Sequence, residues 1–404
     1  MKKPELLAPA GNFSKLLTAV YFGADAVYIG GKHFSLRALS ENFTDEEIVE
    51  AVKFAHKKGV KIYVTVNIFA KNYDFEELEK YLVFLQDAEV DAILVTDVGV
   101  VSLAKKVAPK LHLHLSTQAN TLNKYAVKFW KDLGFDRVVV ARELSLKEIK
   151  DITDYCPDIE IEAFVHGAMC ISYSGRCLLS NYFNGRDANR GECVQACRWN
   201  YEIRERSKDG DFYPVEEDDR GTYIFNSKDL NMIDHLPEMA KSGVVSLKIE
   251  GRMKSEYYLA TVINAYRRAI DAYYNVGEDY DKDGFYYNEL LKTSHRAFTT
   301  AYFLGDNENT VNYKNSQSEG TRQFIANVIE GTCDDGFFIA EMRNRFKVGD
   351  TLEILSPSEN FNKTFVVKRM EDMDGNSVED AKLVQQKLKI FSDIKVYKGD
   401  FLRK

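Results

Sequence analysis

Four of the six cysteines in this 404-residue chain, Cys170, Cys177, Cys193 and Cys197, fall between His166 and Trp199. The stretch reads HGAMCISYSGRCLLSNYFNGRDANRGECVQACRW, with the spacing C-x6-C-x15-C-x3-C. Thiolates are soft anionic ligands and four make a complete tetrahedral set, so this density points to a metal centre. Zinc sites favour close pairs roughly two to four residues apart, which only Cys193 and Cys197 satisfy. The wide, irregular spacing suits an iron–sulfur cluster at least as well, and spacing alone leaves the metal open. The bland alternative is four unrelated thiols packed as small hydrophobes. Arg176, Arg186, Arg190 and Arg198 share the stretch and are able to hold an anion or offset the charge of several thiolates. Cys156 and Cys333 read as isolated packing or surface thiols.

Further polar residues stand where short apolar runs end: Asn67, Asp97, Gln118, Asn120, Arg142, His166 and Arg252. His166 is a candidate acid/base or a partner to a metal ligand, with a purely structural histidine the alternative. Lys248 and Glu250 are two apart on a strand-like run, so they share a face. A charged pair inside a barrel is costly unless it works or is well paired, which makes both candidate catalytic residues. Arg142 and Arg176 suit two-pronged contact with a carboxylate or phosphate. In FNSKDL, Lys228 and Asp229 are candidate substrate-binding residues, and Asn226 or Ser227 could cap a following helix. The sequence contains no H-E-x-x-H, no G-x-S-x-G and no G-x-x-x-x-G-K-[ST], which removes the common metalloprotease, serine-hydrolase and phosphate-loop readings.

Something must position these residues, and the first half of the chain alternates short apolar runs with amphipathic helical runs. Candidate strands are Glu5–Pro9, Ala26–Ile29, Lys61–Val66, Ala92–Val95, His112–Leu115, Arg137–Val140, Glu160–Phe164 and Val245–Ile249. Helices are expected between them, with Asn12 and Thr44 as N-caps, then at 229–241 and 255–273. Eight such repeats predict an α/β fold, a TIM-like (β/α)8 barrel, with the cysteine-rich metal-cluster insertion after strand seven. An open doubly wound sheet is the runner-up, disfavoured because no G-x-G-x-x-G follows the first strand. In such a barrel the strand ends meet at one mouth, and the insertion opens there. The expected divisions are 1–275 for the barrel, including the insertion at 166–228, then a connecting segment at 276–320. From 321 to 404 the texture changes to short β runs punctuated by glycine, which predicts a small all-β barrel domain.

The chain is 45% hydrophobic and 29% charged, in the range of globular proteins with a sizeable core. A net charge of −8 argues against a protein that coats nucleic acid non-specifically, although one local basic face suffices for a specific substrate. Residues 321–404 hold 14 acidic and 14 basic side chains, so the deficit lies in the barrel part. No apolar run approaches the ~18–20 residues of a membrane span and no signal peptide is evident. A cytoplasmic protein with reduced thiols and no membrane partner is therefore expected.

The cysteine stretch, together with GTYIFNSKDL, SLKIEGRMKS, PELLAPAGN and SHRAFTTAYFLG, resembles the collagenase-like peptidase family U-thirty-two. The family takes its name from a collagen-degrading activity, but several members carry a four-cysteine 4Fe-4S cluster and act in oxygen-independent hydroxylation. One branch acts on ubiquinone precursors. Another, prephenate-dependent, makes 5-hydroxyuridine at the tRNA wobble position. With Cys193 and Cys197 followed by Arg198-Trp199, and with the β domain, this chain is most similar to the tRNA branch. In some relatives a cysteine follows the SKDL motif; here that position is Asn231, which favours Cys197 as fourth ligand. The resemblance implies a 4Fe-4S cluster on Cys170, Cys177, Cys193 and Cys197, with prephenate as co-substrate. It implies as partners the tRNA anticodon loop, a small carboxylic acid and a related family subunit. Asn67, Gln118, Asn120, Arg142, Arg176, Lys228, Asp229 and Arg252 would bind substrate, and His166, Lys248 and Glu250 would serve chemistry. The alternative is a peptidase with a structural metal.

Overall fold

The computed structural model describes residues 2–35, 41–170, 172–199, 217–218, 221–222, 227–281, 283–305 and 319–404. Most of the expected insertion beyond Trp199, the alternative cap Asn226 and the 306–318 part of the expected connecting segment lie outside these.

The barrel begins β1 (Glu5–Pro9), α1 (Phe13–Tyr21), β2 (Ala26–Gly30), α2 (Asp45–His56), β3 (Lys61–Val66), α3 (Phe75–Asp87) and β4 (Ala92–Val95). It continues α4 (Val98–Val107), β5 (His112–Leu115), α5 (Lys124–Asp132), β6 (Arg137–Val139), α6 (Leu146–Tyr155) and β7 (Glu160–Ala168). The insertion holds α7 (Leu179–Asn184) and a short hairpin, β8 (Glu217–Asp218) and β9 (Gly221–Thr222). Then come β10 (Asp229–Asn231), α8 (Leu236–Lys241), β11 (Ser246–Ile249), α9 (Glu256–Val276), α10 (Phe285–Leu290) and β12 (Phe298–Thr299). Strands β1 to β7 pair in parallel in sequence order, and β11 pairs with both β1 and β7, closing an eight-stranded barrel. The helix starts follow local chemistry: Asn12 accepts from the Lys15 amide at 2.9 Å, and Thr44 and Glu47 form a reciprocal capping box.

Two expectations are corrected here. Strand β7 does not stop at Phe164 but runs to Ala168. Residues 229–241 are not one helix either, because Asp229–Asn231 pairs antiparallel with His166–Ala168. The outgoing strand needs a partner for its last residues, and the returning chain supplies it before the helix begins, with Pro237 in the first turn of α8. The insertion is thus clasped at its base by a strand out and a strand back.

The C-terminal domain comprises β13 (Phe324–Glu330), β14 (Phe337–Met342), β15 (Phe346–Lys347), β16 (Thr351–Leu355), β17 (Thr364–Val366), β18 (Met370–Glu371), β19 (Asp380–Ala381), β20 (Lys387–Phe391) and β21 (Phe401–Arg403). Seven of these form an antiparallel half-barrel in the order β17-β16-β21-β13-β14-β20-β18 around its own apolar core. Asp393–Tyr397 forms no strand because side chains take its amides. Ile394 donates to Ser392 Oγ at 3.0 Å, Val396 to Thr332 Oγ1 at 2.8 Å and Tyr397 to the Asp400 carboxylate at 2.8 Å. The domain docks on α1 and α9, with Phe401 against Phe22 and Phe324 stacked on Tyr257.

Candidate active site at the barrel mouth

A buried line of charges runs up the barrel axis. At the bottom, Arg137 donates to Glu5 at 2.6 Å and to Glu162 at 3.0 Å. One layer up, the Lys248 ammonium donates to the other oxygen of Glu162 at 2.8 Å and lies 4.6 Å from the centroid of the Tyr28 ring. Burial pushes the Glu162 carboxyl up, but Lys248 and Arg137 together hold it below the ordinary carboxylate range. Above this line opens a cavity of about 190 Å³, lined by Tyr28, Asn67, Gln118, Lys248 and Glu250 among others. Lys248 and Glu250 therefore share the interior, as their spacing implied. Tyr28 donates to the Ile249 carbonyl at 3.0 Å and reaches a Glu250 carboxylate oxygen at 3.1 Å. A larger open groove of about 560 Å³, around Asp234 and Tyr287, holds none of the strand-end residues.

The walls are set by the strand ends. Gln118 is buried, its carbonyl oxygen accepting from Ser116 at 3.2 Å and Thr96 at 3.4 Å, while its amide nitrogen has no hydrogen-bond partner. Arg142 is buried, donates to the Ala168 carbonyl at 3.0 Å and packs over Phe164. Burial works against its charge, yet the neighbouring Cys170 sulfur raises its hold on the proton. Arg252 also lines the cavity, but its guanidinium serves the protein: Ser35 at 3.0 Å, Thr65 at 3.2 Å and Asn42 at 2.6 Å. It passes so close to Gly30 that any Cβ there would overlap the guanidinium.

The thiols come next. Cys170, Cys177 and Cys193 line the same cavity, and Cys197 sits half-buried on the adjoining 3-10 turn at Ala196–Arg198. No disulfide links them. Among the described residues no three His, Cys, Asp or Glu side chains converge as a single-ion site. Three of the thiols share the cavity lining, which among the described residues holds one carboxylate, Glu250, and no histidine. As a donor set this fits a multi-iron cluster, which takes soft thiolates alone.

Several expected site residues lie elsewhere. A bulge inserts an extra residue in β7, so that Phe164 pairs with Lys248 but His166 with Ile249. That slip turns His166 from the barrel interior to the outside. There it is buried among Tyr258, Tyr266 and Phe298, and burial drives its pKa down to about 3. Asp229 is buried in a fork with Arg296, at 3.0 and 2.6 Å, and Lys228 beside it does not line the cavity. Asn120, in the left-handed region, ties Gln118 to the insertion by donating to the Gln118 and Ser174 carbonyls at 2.9 and 3.0 Å. Arg176 is exposed outside the cavity. Tyr28, Glu162 and Phe164 were missed. Glu162 was legible: a buried lysine at Lys248 demands a carboxylate facing it, and Glu162 alternates inward on the neighbouring strand.

The profile of Peptidase family U32 matches residues 11–313, and that of its C-terminal domain matches 320–403. The chain belongs to this family. A protein of Bacillus subtilis named "tRNA hydroxylation protein P1" is 44% identical, over 100% of this chain and 95% of its own length. The "23S rRNA 5-hydroxycytidine C2501 synthase" of Escherichia coli is 36% identical over 74% of this chain and 45% of its own. A "Collagenase" of Porphyromonas gingivalis is 34% identical over 74% of this chain and 73% of its own. No helix among the described residues is long and apolar enough to cross a membrane.

Proposed function

We propose that this U32 member hydroxylates tRNA, converting a wobble uridine to 5-hydroxyuridine without molecular oxygen. The observation that carries the reading is the convergence of three thiols, Lys248 and Glu250 on one cavity at the barrel mouth. Cys170, Cys177, Cys193 and Cys197 would hold a 4Fe-4S cluster, which would supply electrophilic or redox activation when bound. The remaining chemistry belongs to the chain. Lys248, fixed by Glu162, offers a cation at the cavity floor that suits the carboxylate of a small acid such as prephenate. The unpaired Gln118 amide suits a carbonyl oxygen. Glu250, beside the Tyr28 hydroxyl, is placed to accept the proton that leaves the base, while the small acid would be the oxygen donor and two-electron oxidant, giving up a hydroxyl and gaining hydrogen in its place.

The relatives named for hydroxylating tRNA and rRNA support this reading. Peptide-bond cleavage gains less: a thiol nucleophile needs a base, and among the described residues lining the cavity there is no histidine. The test is iron and sulfide content of protein purified without oxygen, compared with Cys170→Ala and Cys193→Ala, followed by nucleoside analysis of tRNA from a deletion strain complemented with each. About four irons and four sulfides, lost in both variants together with 5-hydroxyuridine, is the expected result. Stoichiometric zinc with intact nucleosides and a cleaved peptide would move the assignment to the peptidase.

A further inference from the structure

The insertion does more than carry cysteines. Five aromatic side chains stand out from the surface around the cavity: Tyr73 at 69% exposure, Tyr173 at 44%, Tyr182 at 81%, Phe183 at 45% and Trp199 at 38%. Leaving this much ring area in water is unfavourable unless a partner covers it. The rings are organised. Tyr182 meets Phe183 edge-on, the centroids lying 5.1 Å apart, and Phe183 tilts against Trp199 at 6.0 Å. Two cations approach the Tyr73 ring, Lys71 at 5.9 Å and Arg190 at 5.7 Å from its centre. Arg190 itself is locked by the Asp74 carboxylate at 3.0 Å and the Phe69 carbonyl at 2.6 Å. Helix α7, which bears Tyr182 and Phe183, is bound to the cavity wall through Val194, whose amide donates to Ser180 at 3.2 Å. Arg176 and Arg186 are exposed on the same insertion. The chain carries a net charge of −8, yet between His166 and Trp199 four arginines oppose only Asp187 and Glu192.

We propose that this rim is a stacking platform for single-stranded RNA, receiving the loop bases that flank the one admitted to the cavity. The inference rests on the hydroxylation reading above and deepens it. A base deep in a 190 Å³ cavity must leave its stack, and its neighbours then expose their faces. Aromatic rings interleaved with arginine accept such faces regardless of sequence, while the charges meet the backbone. An RNA duplex has no free base faces to offer, so the platform selects loops over stems.

The experiment uses cluster-loaded full-length protein and two fluorescent RNAs, a stem-loop with uridine in the loop and the same stem closed as a duplex. Tyr182→Ala/Phe183→Ala and Tyr73→Ala are compared with wild type and with Phe129→Ala, an exposed ring on the far helix α5. Loss of each stacked base is expected to weaken stem-loop binding about tenfold, with duplex binding, iron content and melting temperature unchanged. Arg176→Ala/Arg186→Ala should flatten the salt dependence of the same binding. Rim variants that bind the stem-loop as wild type does, while tRNA from wild-type cells carries the hydroxylated nucleoside, overturn the platform alone. Wild-type protein that neither binds the stem-loop nor hydroxylates tRNA overturns the parent reading and the platform with it.

Discussion

The Lys248 ammonium and the Glu162 carboxylate meet at 2.8 Å inside the barrel, both essentially withdrawn from water. The pair has two jobs that mutation can separate, holding the barrel together and presenting a cation to the cavity. Removing one partner of a buried pair strands the other. Glu162→Gln should therefore cost about 3–5 kcal/mol of stability, because Lys248 loses its carboxylate partner and Arg137 is left with only Glu5 and Glu160. Lys248→Met should cost less, since Arg137 still neutralises Glu162. The double variant Glu162→Gln/Lys248→Met should recover part of the stability lost in Glu162→Gln. Hydroxylation should stay at least about a hundredfold down in every variant lacking Lys248. Denaturant melts alongside nucleoside assays decide the matter. Activity that returns with stability in the double variant would assign Lys248 a structural role only.

A second expectation concerns Gly167, whose backbone lies in the left-handed region at φ +109°, and where an added Cβ would overlap the Glu250 carbonyl oxygen. The Glu250 amide is in turn bonded to the His166 carbonyl at 2.8 Å. Gly167→Ala should push β7 and β11 apart where the cavity begins. The backbone alone accounts for about 1–3 kcal/mol. A lowered melting temperature together with loss of activity, at unchanged secondary-structure content, is the outcome expected from circular dichroism and assay.

His166 makes stability depend on pH. In an unfolded chain it takes a proton near its ordinary 6.5, whereas in the fold burial delays this to about 3. Between those values the unfolded state binds the extra proton, so stability is full above about pH 6.5 and is lost as pH falls toward 3. The slope contributed approaches about 1.4 kcal/mol per pH unit. His114, also buried neutral, adds to the wild-type curve in the same sense. The difference between wild type and His166→Gln isolates the His166 share. Parallel curves from pH 7 to pH 4 would show that His166 is not held neutral.

How much of this was readable beforehand follows from what each residue depends on. The eight strands and their order came from local pattern, because each is a short apolar run followed by a helix with its own cap, as at Thr44 and Glu47. Lys248 and Glu250 were found because alternation along one strand is a local rule. His166 was misplaced because a single-residue bulge against β11 reverses the rule, and nothing in its own neighbourhood announces the bulge. Asp229 read as a site residue because its partner Arg296 lies 67 positions away, and a buried ion pair looks in sequence like two unpaired charges. Arg252 was legible as a mouth residue, but its three protein acceptors, Ser35 and Asn42 on a loop and Thr65 on β3, are brought together only by the closed barrel.

Docking of the C-terminal domain turns on Arg403. It is fully buried, ion-paired with Glu289 of α10 at 2.6 Å, and donates to Glu353 of β16 at 2.6 Å and to Asn362 at 2.6 Å. Lys292 reaches the same two carboxylates, at 2.9 and 2.8 Å. One cation from the domain and one from the barrel side thus neutralise one acid from each, so the network exists only while the two units are together. Arg403→Ala should leave Glu289 and Glu353 short of charge and cost about 3–5 kcal/mol. The loss should fall on the junction, because the half-barrel keeps its separate apolar core. Limited proteolysis should then cut near residue 320 and release a folded C-terminal fragment, while Arg403→Lys, which keeps the charge but loses the fork, should fall between the variant and wild type. Uniform digestion of the whole chain, with no stable fragment, would mean that barrel and half-barrel unfold as one unit and that Arg403 supports the core of both.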